Sequence, residues 1–318
     1  MLTLLVALPT LLMTPSSSLL WFSLFAVVGV AIVVDLLIHR RSHPRMSLRR
    51  ALIETGVWIG LALLFNLWIL YAKGHQSAVE FLTGYLVEET LSIDNLFLFL
   101  IIFRSFQVSP VAQHRVLYYG VAGAIIFRIL FILGGIKLLN RFEFIIYVFG
   151  AILLFTAVRM VWPHDDENVK EPWIVGFTRN FFPVTEQLHG RHFFVRQNGR
   201  WLATPLFLAL VAIELVDVIF AVDSVPAVLA ITRDPFVAYS SNLFAVLGLR
   251  AIYFALAGFL TRFRFLHQGL AVVLVFVGAK MLLSHHVSIS ANLSLAVIVT
   301  VFAVTVAASL LWPAPSRN

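Results

Sequence analysis

The stretch Ala212-Ile-Glu214-Leu-Val-Asp217-Val-Ile-Phe-Ala-Val-Asp223-Ser-Val-Pro226 sets three carboxylates in an otherwise apolar run, and Gly84-Tyr-Leu-Val-Glu88-Glu89-Thr-Leu-Ser-Ile-Asp94-Asn95 sets three more. Whether this is tolerable depends on the solvent of the surrounding chain. The 318 residues are 60% hydrophobic and only 12% charged, with a mean hydropathy of +0.94. An average soluble domain is about 25% charged, so most of this chain does not face water. Soluble globular, disordered and collagen-like classes are excluded. The absence of cysteine removes disulfides, thiolate metal sites, iron–sulfur clusters and Cys nucleophiles together. What remains is an all-α, polytopic membrane protein.

A membrane span needs about 20 apolar residues. Nine segments qualify: Leu19 to Ile38, Ala51 to Ala72, Val79 to Phe103, Arg115 to Leu139, Phe142 to Trp162, Leu202 to Ile231, Phe236 to Leu260, Phe265 to Leu283 and Val287 to Trp312. The chain therefore divides into a loose or interfacial tail (1–18), two peripheral spans (19–78), a first three-span unit (79–162), a long loop (163–201), a second three-span unit (202–283) and a last span with its tail (284–318). In the long loop, Asn198-Gly199 between apolar and aromatic residues is a hairpin signal. The early stretch Leu2 to Met13 is too short to span. No Lys or Arg precedes Arg40, so the charged leading region of a signal peptide is missing.

Basic residues set the expected orientation. Of the 23, sixteen fall on one side, with Arg40, Arg41, Arg45, Arg49 and Arg50 after the first span and six more around the long loop. Five fall on the other side, and Arg128 and Arg250 lie within spans. The expectation is an N-terminus outside and a C-terminus in the cytoplasm, in the cell's inner (plasma) membrane. The net charge of +7 then reflects topology and anionic lipid, with no nucleic-acid partner.

The chain also matches itself. Arg141-Phe-Glu-Phe144 aligns with Arg262-Phe-Arg-Phe265 at an offset of 121, Arg128 with Arg250 at 122, and Ile93-Asp94-Asn95 with Val222-Asp223-Ser224 at 129. At that last offset Glu88 falls on Asp217. Each copy holds three spans, 3 to 5 and 6 to 8. Three is odd, so the second copy enters from the opposite side, giving the inverted repeat found in secondary transporters.

On an insertion scale each intramembrane carboxylate costs about 2.5–3.5 kcal/mol at the helix centre. Arg128 and Arg250 balance only two of the six, whether as static pins between spans or otherwise. The surplus argues for a metal ion, protons, or both. Glu214 and Asp217, three residues apart, share a helix face, whereas Asp217 and Asp223 stand about 120° apart on a straight helix. Pro226 removes an amide hydrogen and crowds the Val222 carbonyl, so a break at Asp223 is expected to turn these acids together. The candidate shell is all oxygen: Glu88, Asp94, Glu214, Asp217 and Asp223, with Glu89, Asn95 and Ser224 in support. Such a shell suits Mg²⁺, Ca²⁺ or Mn²⁺. The ten histidines lie in loops or at span ends, which disfavours zinc, copper and nickel.

The blocks GYLVEETLSIDNLF and IELVDVIFAVDSVPAVLAITRDPFV with SSNLFAVLGLRAIYF resemble the TerC family of integral membrane proteins, and the chain from Leu19 onward is similar to its manganese-exporting, Alx-like branch. The resemblance implies Mn²⁺ efflux from the cytoplasm, with the ion path formed by the acids that match Glu88, Asp94, Glu214, Asp217 and Asp223. The expected function is thus a secondary transporter, not an enzyme, that exports Mn²⁺ by alternating access with proton antiport and carries no tightly bound organic cofactor. The rival is a membrane partner that loads metal into secreted or membrane metalloproteins. A paired-acid intramembrane hydrolase is disfavoured, because a catalytic dyad does not require acids repeated across an inverted pair.

Overall fold

The structure is a computed structural model that describes residues 15–40, 48–161, 175–178, 185, 192–197, 200–256, 265–284, 286–287 and 289–311. Among them run nine helices of 17 residues or more: α1 (Pro15–Arg40), α2 (Leu48–Lys73), α3 (His75–Ser105), α4 (Pro110–Arg141), α5 (Ile145–Val161), α6 (Pro205–Leu229), α7 (Pro235–Leu256), α8 (Leu266–Leu282) and α9 (Ala291–Leu311). Each overlaps one of the nine expected spans. Five helices are long and apolar enough to cross a membrane: α2, α4, α6, α7 and α9. α5, α8 and the Ser18–Val34 part of α1 are shorter apolar helices. α3 is 31 residues long but carries Glu80, Glu88, Glu89, Asp94 and Arg104. The tail 1–14, most of 163–191 and the Asn198-Gly199 pair lie outside the described residues.

The chain forms two compact units, divided between Arg45 and Met46. In the first, α1 stacks Trp21 on Phe25 at 5.9 Å, one helical turn apart.

The second unit holds everything else, and local chemistry starts its helices. α4, α6 and α7 open on Ser109-Pro110, Thr204-Pro205 and Asp234-Pro235. A small polar residue followed by proline suits a helix start, because proline's fixed φ is already helical and its missing N–H would have no partner there. α2 and α3 are separated by Gly74 alone, at φ +86°, a conformation that a Cβ would penalise. The expected hairpin is present: β1 (Phe194–Gln197) pairs antiparallel with β2 (Arg200–Ala203), with Gln197 opposite Arg200. The Thr204 hydroxyl donates to the His192 and Phe193 carbonyls, tying the hairpin to the start of α6.

α7 is the central helix, with its whole apolar window buried, whereas only 22% of the windows of α2 and α9 is buried. Leu52, Ile53, Val57, Leu64 and Leu67 of α2 are exposed, as a lipid-facing surface requires. The helix pairings follow a pattern. α3 packs on α7 and α4 on α6, while α5 packs on α8, α3 on α6 and α4 on α7. This set is unchanged when α3, α4 and α5 are exchanged with α6, α7 and α8. α4 and α6 run parallel, with Gly123 against Glu214 and Gly135 against Leu229; α3 and α7 do likewise, with Gly84 against Ser241 and Glu89 against Gly248. Gly150 and Gly278 bring α5 and α8 into close antiparallel contact. Below the acids, Leu96, Phe99 and Phe103 of α3, Val116 of α4, Leu206 and Ile213 of α6, and Tyr253 of α7 share one core cluster.

Candidate functional site

α6 is continuous from Pro205 to Leu229, so the expected break at Asp223 is absent. Pro226 lies in the last turn, where its one missing hydrogen bond ends little helix beyond it, and the Ala230 amide still bonds to the Pro226 carbonyl. On an unbroken helix Glu214 and Asp217 share one face and Asp223 aims at another, as their spacing dictates. Glu214 lies against Gly120 and Gly123 of α4. Asp217 reaches Arg128, also on α4, and Asp223 accepts a hydrogen bond from the Thr156 hydroxyl of α5 at 2.8 Å.

The convergence point is Arg128, 2% exposed. One of its terminal nitrogens (Nη1) ion-pairs with Glu88 of α3, and the other (Nη2) lies 3.3 Å from Asp217 Oδ1. Asn242 of α7, fully buried, closes the group: its amide oxygen accepts from Arg128 Nη1 at 2.8 Å, and its amide nitrogen donates to Glu88 Oε2 at 2.9 Å. Four helices thus meet around one guanidinium. Glu88 and Asp217, the two acids related by the sequence offset of 129, are its two acidic partners among the described residues.

Among the described residues, several buried atoms here have no hydrogen-bond partner: Glu214 Oε2, Asp217 Oδ2, Arg128 Nε, and the Ser92 and Ser224 hydroxyls; Glu89 is approached only by the Tyr85 hydroxyl one turn back on α3. Glu89 lies against Gly248 of α7, which Trp58 of α2 also approaches. Asn95 is buried on α3, and Arg250 is buried on α7 at 7% exposure. Asp94 lies within α3, but its side chain is outside the described residues. The structure therefore brings Glu88 and Asp217 together and sets Glu214 against the same helix, α4. Glu89 and Asp223 lie at separate seams. Among the described residues no three His, Asp or Glu side chains converge as a metal shell.

Two participants escaped the sequence reading. Asn242 closes a polar Ser240-Ser241-Asn242 run inside the most buried helix, and that run was its available signal. Thr156 is one hydroxyl in an apolar helix and gave none.

Comparison with known proteins places the chain among membrane proteins. Two proteins described as "Putative membrane-bound redox modulator Alx", from Escherichia coli (strain K12) and Shigella flexneri, are each 45% identical over 302 residues, covering 92% of this chain and 94% of theirs. An "Uncharacterized membrane protein STKORF319" from Myxococcus xanthus is 40% identical over 294 residues, 92% of each chain. No solved structure matches. The model of the integral membrane protein TerC family matches residues 73–317, which include every acid of the site, and the chain belongs to that family.

Proposed function

We propose that this chain is a secondary transporter of the inner membrane that exports Mn²⁺ and other hard divalent cations from the cytoplasm by alternating access with proton antiport. The observation that carries this reading is the meeting of Glu88 and Asp217, from corresponding helices of the two three-helix units, deep between α3, α4, α6 and α7. Buried carboxylate oxygens outnumber the donors offered to them there, and buried polar groups without partners are costly. A cation that visits the site would supply what the protein withholds. Carboxylate and amide oxygens are the donors that hard divalents prefer, and protons compete for the same oxygens.

The helix pairings support alternating access. α3 and α4 are joined by only four residues and reverse direction on crossing, and α4 runs parallel to α6, so α6 runs opposite to α3. Such an inverted pair can rock about a fixed midplane site. On the distribution of basic residues, we place the N-terminus outside and the C-terminus in the cytoplasm. Thiol–disulfide exchange, one meaning of redox modulation, is closed to a chain without cysteine.

The test is Mn²⁺ flux into proteoliposomes holding the purified protein, with an imposed pH gradient and Asp223→Asn beside the parent. Flux that needs both the gradient and Asp223 supports the antiporter. Binding without flux, in folded protein, favours delivery of metal to other proteins instead.

A further inference from the structure

We infer that Arg128 is a tethered counter-ion that occupies the cation's place between Glu88 and Asp217 and yields it when a divalent cation enters. The inference rests on the transport reading and specifies how the empty site is held. A static pin would be expected to satisfy its guanidinium. Arg128 is instead buried with Nε unpartnered, and the farther oxygen of Asp217 has no partner either. The group is held, but not saturated.

Charge arithmetic favours exchange. Two carboxylates and one guanidinium leave one negative charge, whereas two carboxylates and a divalent cation leave none. A dication is the better counter-ion, and the arginine is the one always present. Without it, the empty carrier would expose two buried, unbalanced carboxylates to each other, which is strongly unfavourable at low effective dielectric.

The oxygens released are suited to a hard cation. As Arg128 withdraws it frees Glu88 Oε1, Asp217 Oδ1 and the amide oxygen of Asn242, and Asp217 Oδ2 is already without a partner. The orientation of Asn242 is fixed by its neighbours: its oxygen meets a donor on Arg128 and its nitrogen meets an acceptor on Glu88. Asn242 therefore holds Glu88 Oε2 in both states and offers its oxygen to whichever cation is present. The guanidinium also has somewhere to go. Arginine side chains on a helix lean back toward the preceding turn, and there Glu214, against Gly123 of the same α4, has Oε2 without a donor.

The experiment compares the parent with Arg128→Gln in three measurements: equilibrium ⁵⁴Mn²⁺ binding to the purified full chain, Mn²⁺/⁵⁴Mn²⁺ exchange in proteoliposomes, and net Mn²⁺ flux. Removing a competitor that fills the site about nine-tenths of the time tightens apparent binding about tenfold. The expected result is that tightening, exchange retained, and net flux lost because the Mn²⁺-free carrier, left without the counter-ion that balances its remaining carboxylate charge, no longer returns. Folded Arg128→Gln that binds Mn²⁺ no tighter than the parent, or loses exchange and net flux together, overturns the inference while leaving transport intact. A parent that neither binds nor moves Mn²⁺ overturns the transport reading and the exchange with it. Should Arg128→Gln not fold, Arg128→Lys carries the comparison. A lysine cannot fork to two carboxylates, so tighter binding with slowed net flux supports the exchange, and unchanged binding overturns it.

Discussion

The carboxylate of Glu214 on α6 fills the space that a side chain at Gly123 of α4 would occupy. The parallel α4–α6 seam is thus built around a buried acid, with glycine as the only residue that leaves it room. Gly123→Ala forces the acid to move; overpacking costs about 1–3 kcal/mol, and because the atoms met are the far end of a flexible side chain the cost falls at the low end of that range. The expected outcome is a modestly lower Tm in detergent and a reduced Mn²⁺ flux, because the displaced carboxylate no longer sits at the α4–α6 seam. Gly120→Ala is the control, since a Cβ there meets Glu214 only at ordinary contact distance, 3.8 Å. Adding Glu214→Asp, one methylene shorter, should recover part of the Tm lost by Gly123→Ala, and a strictly additive double variant would contradict the contact.

Where α7 begins, Asp234 has two tasks. Its Oδ1 accepts the amide hydrogens of Phe236 at 2.9 Å and Val237 at 3.4 Å, and its Oδ2 pairs with Lys73 at the end of α2. The Lys73 ammonium also lies 5.5 Å from the centre of the Phe236 ring. Loss of an N-cap costs about 0.5–2 kcal/mol, whereas a partly exposed ion pair contributes about 0–1 kcal/mol. Thermal unfolding should rank Asp234→Ala as the most damaging, Lys73→Ala next and Asp234→Asn, which keeps the cap, as mildest. Lys73→Ala proving worse than Asp234→Ala would assign the stability to the ion pair instead.

The spans and the acids were legible because their signals are local. Apolar runs long enough to cross a bilayer are read within about 20 residues, and a carboxylate in such a run is conspicuous wherever it points. What it meets is another matter. Arg128 finds Asp217 at a separation of 89 residues and Asn242 at 114, and Asn242 finds Glu88 at 154. The choice of Arg128 over Arg250 as the joint partner of Glu88 and Asp217 is a result of helix packing, which no local signal encodes. The continuity of α6 is the opposite case: a strong local rule for proline misjudged a residue in the last turn, where little hydrogen bonding remains to be broken.

Thr156 donates to Asp223 across the α5–α6 seam, linking the two three-helix units. Thr156→Val keeps the shape and deletes the donor. A hydrogen bond to a charged acceptor contributes about 1.5–3 kcal/mol when buried, and the partial exposure of Asp223 reduces this. The expected outcome is a Tm close to that of the parent with the concentration for half-maximal Mn²⁺ flux raised severalfold, and recovery in Thr156→Ser. Equal flux curves for Thr156→Val and the parent would remove Asp223's orientation from the transport path.

Glu88 and Glu89 are adjacent in sequence, both are buried, and they should respond oppositely to loss of charge. Glu88 is met by donors on both oxygens, Arg128 on one and Asn242 on the other. In Glu88→Gln the amide must turn its own N–H groups toward one of those donors, and Arg128 keeps its charge with one partner fewer. Breaking a buried pair from one side costs about 3–5 kcal/mol. Glu89 is met by no charged or amide donor, only by the Tyr85 hydroxyl one turn back on α3, and a glutamine oxygen can still accept from that hydroxyl, so Glu89→Gln deletes a buried charge without opposing two donors, and stability should stay within about 1 kcal/mol of the parent or rise. Thermal unfolding of the two variants, each repeated with saturating Mn²⁺, separates the roles. Cation binding raises Tm by mass action only where the site survives, so the shift should persist in Glu89→Gln and vanish in Glu88→Gln. A Glu89→Gln protein that folds well and yet loses the shift would move the cation from Arg128's seam to the one between Glu89 and Gly248.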